Sequence, residues 1–320
     1  MNALCLMTDS LSSLSFERMV KTAQALGFEQ LEIATGNWSS APHLDVDLLL
    51  QSRDARQAYL GTLKEHRLVL AALNCSGNQL APNALGAEHA TVVEKTFALA
   101  PLLGVAKVVM MSGLPGAGSG DTHPNWITTS WPPENEVVLD YQWRHCLLPY
   151  WKQLVKRARD CQVDRIALEN HGCQLVYNAR TLKMLCSEIG PTVGMNLDPS
   201  HLFWMGGDPR AMARSLGPMI YHVHAKDVRF EAGLWEADGL LDTLGIEEFA
   251  QRSWNYVALG YGHDESWWKE FFSILVMVGY TGPVSLEMED RTMDQLTGVL
   301  KSLDVLKAAL PRRWQEIEEV

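Results

Sequence analysis

The sequence predicts an α/β fold of the (β/α)8 barrel type, and three observations carry that prediction. Short apolar runs alternate with longer amphipathic ones from end to end of the 320 residues, the pattern of a parallel sheet covered by helices. The apolar runs number eight, and no Pro/Gly/Ser-rich linker divides them. Residues 1–320 therefore read as a single barrel domain, a fold that routinely exceeds ~200 residues. From the fifth run onward each ends in acids or imidazoles, and the carboxyl ends of barrel strands are where active sites are built.

The eight strands are Ala3–Met7, Gln30–Ala34, Leu68–Asn74, Lys107–Ser112, Arg165–His171, Val193–Asp198, Ile220–Asp227 and Val284–Glu289. After the first comes a helix with Phe16, Met19, Val20, Ala23 and Leu26 on one face, stopped by Gly27. Helical patterns follow near 57–66, 88–103, 140–161, 178–188, 208–216 and 266–279, and Leu296, Val299, Leu300, Leu303 and Leu306 carry the last. Two stretches lack any period: 113–138, rich in Gly and Pro, and 228–261. Both follow strands, which predicts long loops over the active-site face.

Composition excludes several classes of function. At 47% hydrophobic and 20% charged residues the chain can bury a sizeable core and is too apolar for disorder. With 38 acids against 27 bases, a net charge of −11 and no basic run, nucleic acid is not an expected partner. The longest apolar stretches are about half of the ~20 residues a membrane span needs, and the start, MNALCLMTDS, lacks the plan of a signal peptide. A cytoplasmic protein without a membrane partner is expected. Six cysteines, without a C-x-x-C pair, read as core thiols in a reducing compartment.

The polar strand ends carry the chemistry. Strand five ends Leu168-Glu169-Asn170-His171, strand six Asn196-Leu197-Asp198-Pro199-Ser200-His201, strand seven His222-Val223-His224-Ala225-Lys226-Asp227, and strand eight Leu286-Glu287-Met288-Glu289-Asp290. Any one acid taken alone reads as a helix cap or an ion-pair member. Four consecutive strands that deliver them to one rim point instead to a divalent ion held by Glu169, Asp198, His224 and Glu287. Three carboxylates and one imidazole suit Mn²⁺, Mg²⁺ or Co²⁺ and also accept Zn²⁺. His222 shares a face with His224, so alternation leaves both open as the strand-seven ligand. His171 and His201 are candidate general bases or substrate-orienting groups. The run GLPGAGSG at 113–120 lacks the Gly-Lys-Ser/Thr of a phosphate loop. It reads as a mobile lid, with Trp126 and Trp131 as sugar-stacking surfaces.

LENH at 168–171, NLDPSH at 196–201, HAKD at 224–227 and SLEMED at 285–290, with LEIATG at 31–36, resemble the sugar phosphate isomerase/epimerase superfamily. Its fold is a xylose isomerase-like TIM barrel of the AP endonuclease 2 type, shared with ketose 3-epimerases, inosose dehydratases and endonuclease IV. The resemblance implies the same four ligands and resolves strand seven in favour of His224. It also implies that Glu169 and Glu287 are the catalytic base and acid, assisted by His171 and His201, and that Lys226 and Arg229 touch substrate. Two departures matter. Where ketose 3-epimerases carry a further Glu and Arg, this chain has Leu175 and Phe230, and Arg229 is the compensating candidate. Where endonuclease IV needs extra His and Asp ligands, Ala237, Gly239 and Asn74-Cys75-Ser76 stand. RSWNYVALGYGH at 252–263, MSGLPG at 111–116 and PYW at 149–151 resemble the branch containing C-glycoside deglycosidase catalytic subunits.

The expected function is a metal-dependent sugar isomerase or epimerase, working on a keto sugar or keto polyol through a metal-stabilised enediolate. One divalent ion is expected, Mn²⁺ first. Elimination of the aglycone from 3-oxo-glycosides is the alternative reaction. A catalytically silent barrel that binds a sugar or a partner is the alternative class. A homo-oligomer or a small partner subunit is the assembly this leaves open.

Overall fold

A computed structural model describes residues 2–311. Among the described residues ten strands occur: β1 Leu4–Met7, β2 Gln30–Ala34, β3 Val69–Asn74, β4 Lys107–Met110, β5 Arg165–Glu169, β6 Val193–Leu197, β7 Ile220–Ala225, β8 Asp227–Phe230, β9 Trp254–Val257 and β10 Val284–Leu286. Eight of them close a parallel barrel in the order β1-β2-β3-β4-β5-β6-β7-β10 and back to β1. Each predicted strand has its counterpart there, and each predicted helical pattern lies in or overlaps a helix. The first helix, Phe16–Leu26, starts on the Ser15 cap and stops at Gly27. Gly27 has φ +84°, the left-handed conformation that glycine adopts without strain.

Strand alternation sorts the side chains into two compartments. Outward-facing residues such as Leu31, Ile33, Leu73, Ile166, Leu168 and Val223 pack against the helices in the main core, with Trp151, Trp268, Phe271 and Phe272. The barrel interior is different. Ala72, Val109 and Ala167 fill part of it, but Glu32, Asn74, Asn196, His222, His224 and Ser285 are also buried. Registers align these polar residues: Glu169 lies opposite Asn196, Asn196 opposite His222, and His224 opposite Ser285. An interior of this kind stands only if each polar group finds a partner.

The two irregular stretches correct the sequence reading. Residues 228–261 are not one loop, because β8 and β9 pair as an antiparallel ribbon with Phe230 opposite Trp254 and Asp227 opposite Val257. Each strand is only four residues long and the two are far apart in sequence, so no hairpin turn signals them. The stretch 113–138 is tied down by hydrogen bonds. Asp121 Oδ2 accepts from the backbone of Ala117 and Gly118, and Gln142 Nε2 reaches Asn125 O at 2.6 Å. Residues 126–130 then line a groove of about 960 Å³ against Trp143, Tyr177 and Arg180. These contacts lie outside the barrel, on the side of helix Ala179–Ile189.

Phe271 is fully buried and touches the rings of Trp267, Trp268 and Phe272. Phe271→Ala is expected to cost about 3–5 kcal/mol of unfolding free energy. Val137→Ala, at a position 72% exposed, is expected to change it by no more than about 0.5 kcal/mol. Urea unfolding followed by circular dichroism checks both.

Candidate metal centre and active site

At the carboxyl ends of β5, β6, β7 and β10, Glu169, Asp198, His224 and Glu287 each bring one ligand-type atom within 4.8 Å of the others. Local structure aims each of them. Asp198 is the N-cap of helix Pro199–Trp204, and its Oδ1 accepts from Ser200 N at 2.8 Å, which leaves Oδ2 free. The cap and the ligand position thus use different oxygens of one carboxylate. Asn170 pins the Asp198 backbone through two bonds, accepting from its N at 2.8 Å and donating to its O at 2.9 Å. Glu287 follows the last β10 residue directly.

The donor atoms fit a divalent cation. Asp198 Oδ2 and Glu287 Oε2 are buried without a well-aligned hydrogen-bond donor, an arrangement that calls for a counter-charge. His224 Nδ1 stands 2.9 Å from Glu287 Oε2 and 3.7 Å from both Glu169 Oε1 and Asp198 Oδ2. Burial disfavours a charged His224 ring, yet Glu32 and Glu287 outweigh it and hold its pKa well above the ordinary imidazole range. The same surroundings push the two glutamates apart. Burial raises both carboxyls, but His201 and His224 hold Glu169 well below its usual range, whereas Glu287 stays raised despite Lys226 and His224.

Above the four residues lies a cavity of about 220 Å³, lined among others by Glu169, His171, His201, Lys226, Tyr256 and Glu287. His201 Nε2 donates to Glu169 Oε1 at 2.9 Å and approaches Asp198 Oδ2 at 3.3 Å, while Tyr256 OH meets its Nδ1 at 3.0 Å. The His171 ring lies 4.0 Å from the His201 ring, and its Nδ1 bonds Gly172 O. A carbonyl partner places the proton on Nδ1 and leaves Nε2 as the acceptor. Burial, then His201, pulls the His171 pKa down to about 4. Lys226 Nζ sits 2.9 Å from Glu289 Oε1, 3.5 Å from Glu287 Oε2 and 4.4 Å from the Tyr256 ring centre. Burial lowers its pKa, but Glu287 and Glu289 raise it well above the usual value.

Three expected substrate contacts lie elsewhere. Trp126 packs edge-on against Tyr177 and Trp204, and Trp204 in turn stacks on Trp254. Trp126 therefore belongs to a wall behind the cavity. Trp131 is 74% exposed on the outer segment, and Arg229 is paired with Glu231 at 2.7 Å on β8. None of the three lines the cavity: Trp126 lines the separate groove, Trp131 is exposed, and Arg229 is held by Glu231. Residues without a predicted role stand in their place: Trp38, Tyr256, Glu289 and Asp9 line the cavity. Below the candidate ligands, Glu32 of β2 meets His224 Nε2 at 3.1 Å. Its signal was a lone acid inside the otherwise apolar strand LEIA.

Comparisons with known proteins agree with this architecture. YfiH of Bacillus subtilis strain 168, an uncharacterised protein, is 53% identical over 305 residues, covering 95% of this chain and 97% of its own. Among solved structures, the probable 3-DHS dehydratase AsbF of Bacillus anthracis superposes with a TM-score of 0.65 at 18% identity, covering 96% of this chain and 99% of that one. D-allulose 3-epimerase from Methylomonas sp. gives 0.62 at 16% identity, with 97% and 98% covered. At such identities the two structures show a shared fold. The family model described as xylose isomerase-like TIM barrel matches residues 20–309, and the chain belongs to that family.

Proposed function

We propose that this protein is a divalent-metal-dependent isomerase or epimerase of a neutral keto sugar or keto polyol. The observation that carries the reading is the pair Glu169 and Glu287, two carboxylates on one cavity whose other ligand-type neighbours are Asp198 and His224. Membership of the xylose isomerase-like family and a fold shared with D-allulose 3-epimerase support it. A bound divalent ion would be held by Glu169, Asp198, His224 and Glu287 and would supply Lewis-acid stabilisation of negative charge on the substrate's carbonyl oxygen.

The protein's own groups do the rest. One glutamate takes the proton from the carbon beside the carbonyl, and the electron pair of that C–H bond becomes the enediolate. The other glutamate returns a proton to carbon, and the two exchange roles in the reverse direction. His201, bonded to Glu169 and Tyr256, holds one carboxylate in place. His171 presents a neutral acceptor nitrogen to a substrate hydroxyl. The charge inventory of the cavity supports a neutral substrate: Asp9, Glu169, Glu287 and Glu289 line it, and Lys226 is already paired. Six free cysteines support a reducing, cytoplasmic setting.

One observation favours elimination from a 3-oxo-glycoside as a second reading. A second hollow of about 250 Å³ shares Asp9, Glu287 and Glu289 with the first and extends to Ser10, Arg291 and Gln295. A leaving group too large for the first cavity fits that direction. A sugar-binding barrel without catalysis has no comparable support, since it has no evident need for two glutamates beside Asp198 and His224.

The purified chain is expected to bind about one divalent ion, and Asp198→Asn or His224→Ala to remove most of it from a folded barrel. Metal analysis with circular dichroism checks this, and unchanged metal content in both variants sinks the ligand set. Glu287→Gln is expected to lower turnover by about 10²–10⁴-fold while leaving the apo protein's melting temperature within a few degrees. Steady-state kinetics with a panel of keto sugars reads that loss. In D₂O, isomerisation or epimerisation is expected to yield product deuterated at the reacting carbon. Aglycone release from a 3-oxo-glucoside without deuterated isomer overturns the proposal in favour of elimination. In that case His171→Ala is expected to reduce turnover more than Glu287→Gln does.

A further inference from the structure

Beneath the proposed metal ligands, a line of polar side chains, buried apart from the half-buried Lys107, runs down the barrel interior. Lys107 Nζ lies 2.9 Å from His222 Nδ1, His222 Nε2 lies 2.7 Å from Glu32 Oε2, and Glu32 lies 3.1 Å from His224 Nε2. Glu32, His222 and His224 are themselves close enough together to suggest a second metal cluster. Glu32 has no oxygen to spare for one. Asn74 Nδ2 donates to its Oε1 at 2.7 Å and Ser285 Oγ to its Oε2 at 2.8 Å, besides the two imidazoles. Four donors saturate a carboxylate.

The protons along this line can be placed by elimination. An ammonium only donates, so His222 Nδ1 is the acceptor and its proton sits on Nε2. A carboxylate only accepts, so both His222 Nε2 and His224 Nε2 donate to Glu32. His224 Nδ1 is the nitrogen left over, aimed at the three carboxylates of the candidate metal centre; without a cation it donates a proton toward Glu287 Oε2, and a bound cation would take that proton's place. Asn196 Nδ2 lies 3.3 and 3.2 Å from the two His224 nitrogens and so does not discriminate between them. We infer that Lys107, His222 and Glu32 are positioning residues that fix His224 in its Nδ1-coordinating tautomer. The line is also electrically balanced, one ammonium against one carboxylate, so it brings no net charge of its own to the ligand. A carboxylate behind a ligating imidazole raises ligand basicity and orients the ring.

The inference rests on the metal reading of the site and is independent of which reaction the site performs. Its test uses Co²⁺ alone as the probe, with affinity from titration and the visible absorption of the bound ion as the spectroscopic signature. Absence of Co²⁺ binding by the unaltered protein overturns the metal reading itself, and the inference with it. Given binding, Glu32→Gln is expected to weaken it about 10–100-fold and to alter the absorption bands. The Gln amide would donate toward His222, whose Nδ1 would then need its proton where Lys107 already donates. Lys107→Met removes that conflict and the unmatched charge, so the double variant is expected to bind more tightly than Glu32→Gln alone. Affinity and spectrum within twofold of the unaltered protein in Glu32→Gln, or losses that simply multiply in the double variant, overturn the inference. Should Glu32→Gln fail to fold, Lys107→Met and His222→Gln serve instead. Weakened Co²⁺ binding with altered bands in folded protein supports the inference, and unchanged binding in both overturns it.

Discussion

The structure depends on neutralising carboxylates that have been taken out of water. Glu32, Glu169 and Asp198 are all less than 5% exposed, and an unpaired buried charge costs several kcal/mol. Each is compensated in its own way. Glu32 is saturated by four donors, one of them backed by Lys107. Asp198 gives one oxygen to the helix it caps. Glu169 accepts from His201. What remains is a concentration of acceptor atoms around His224 Nδ1 that protein donors do not satisfy, the chemistry of a candidate cation site.

Parallel β-strands make such convergence cheap in geometry. In a closed barrel all strand ends of one sense lie on one rim, so side chains from β5, β6, β7 and β10 meet although they span residues 169–287. The lower polar layer depends on the same closure. His222 of β7 reaches Glu32 of β2 across the barrel, a separation of 190 residues. Rigid strands hold these atoms where loops would not.

The ribbon of β8 and β9 supplies what the rim lacks. It sets Tyr256 against His201 and under Lys226, and its Trp254 stacks on Trp204 of the helix that Asp198 caps. Asp227 ties its base, accepting from the backbone of Gly260, Gly262 and His263. The cavity wall is therefore anchored to the same helix that positions one proposed ligand. A change in the ribbon would be felt at Asp198 and His201 together.

Alternation of apolar and polar residues made the eight barrel strands legible in the sequence, and the acids and imidazoles at their ends pointed to the rim. The helices were equally legible, since Met19, Val20 and Ala23 repeat at the spacing of a buried helical face. The roles of Glu32 and His222 were not. Period two tells which face of a strand a side chain occupies, but not which strand stands opposite once the sheet closes. Trp126, Trp131 and Arg229 fall outside the cavity lining for a related reason. Loop and ribbon residues have no period to read, so whether an indole or a guanidinium turns into the cavity or away is decided by tertiary contacts. The tertiary structure decided that Trp38 and Tyr256 face the cavity, because only the closed barrel brings residues from β9 and the segment after β2 to one place.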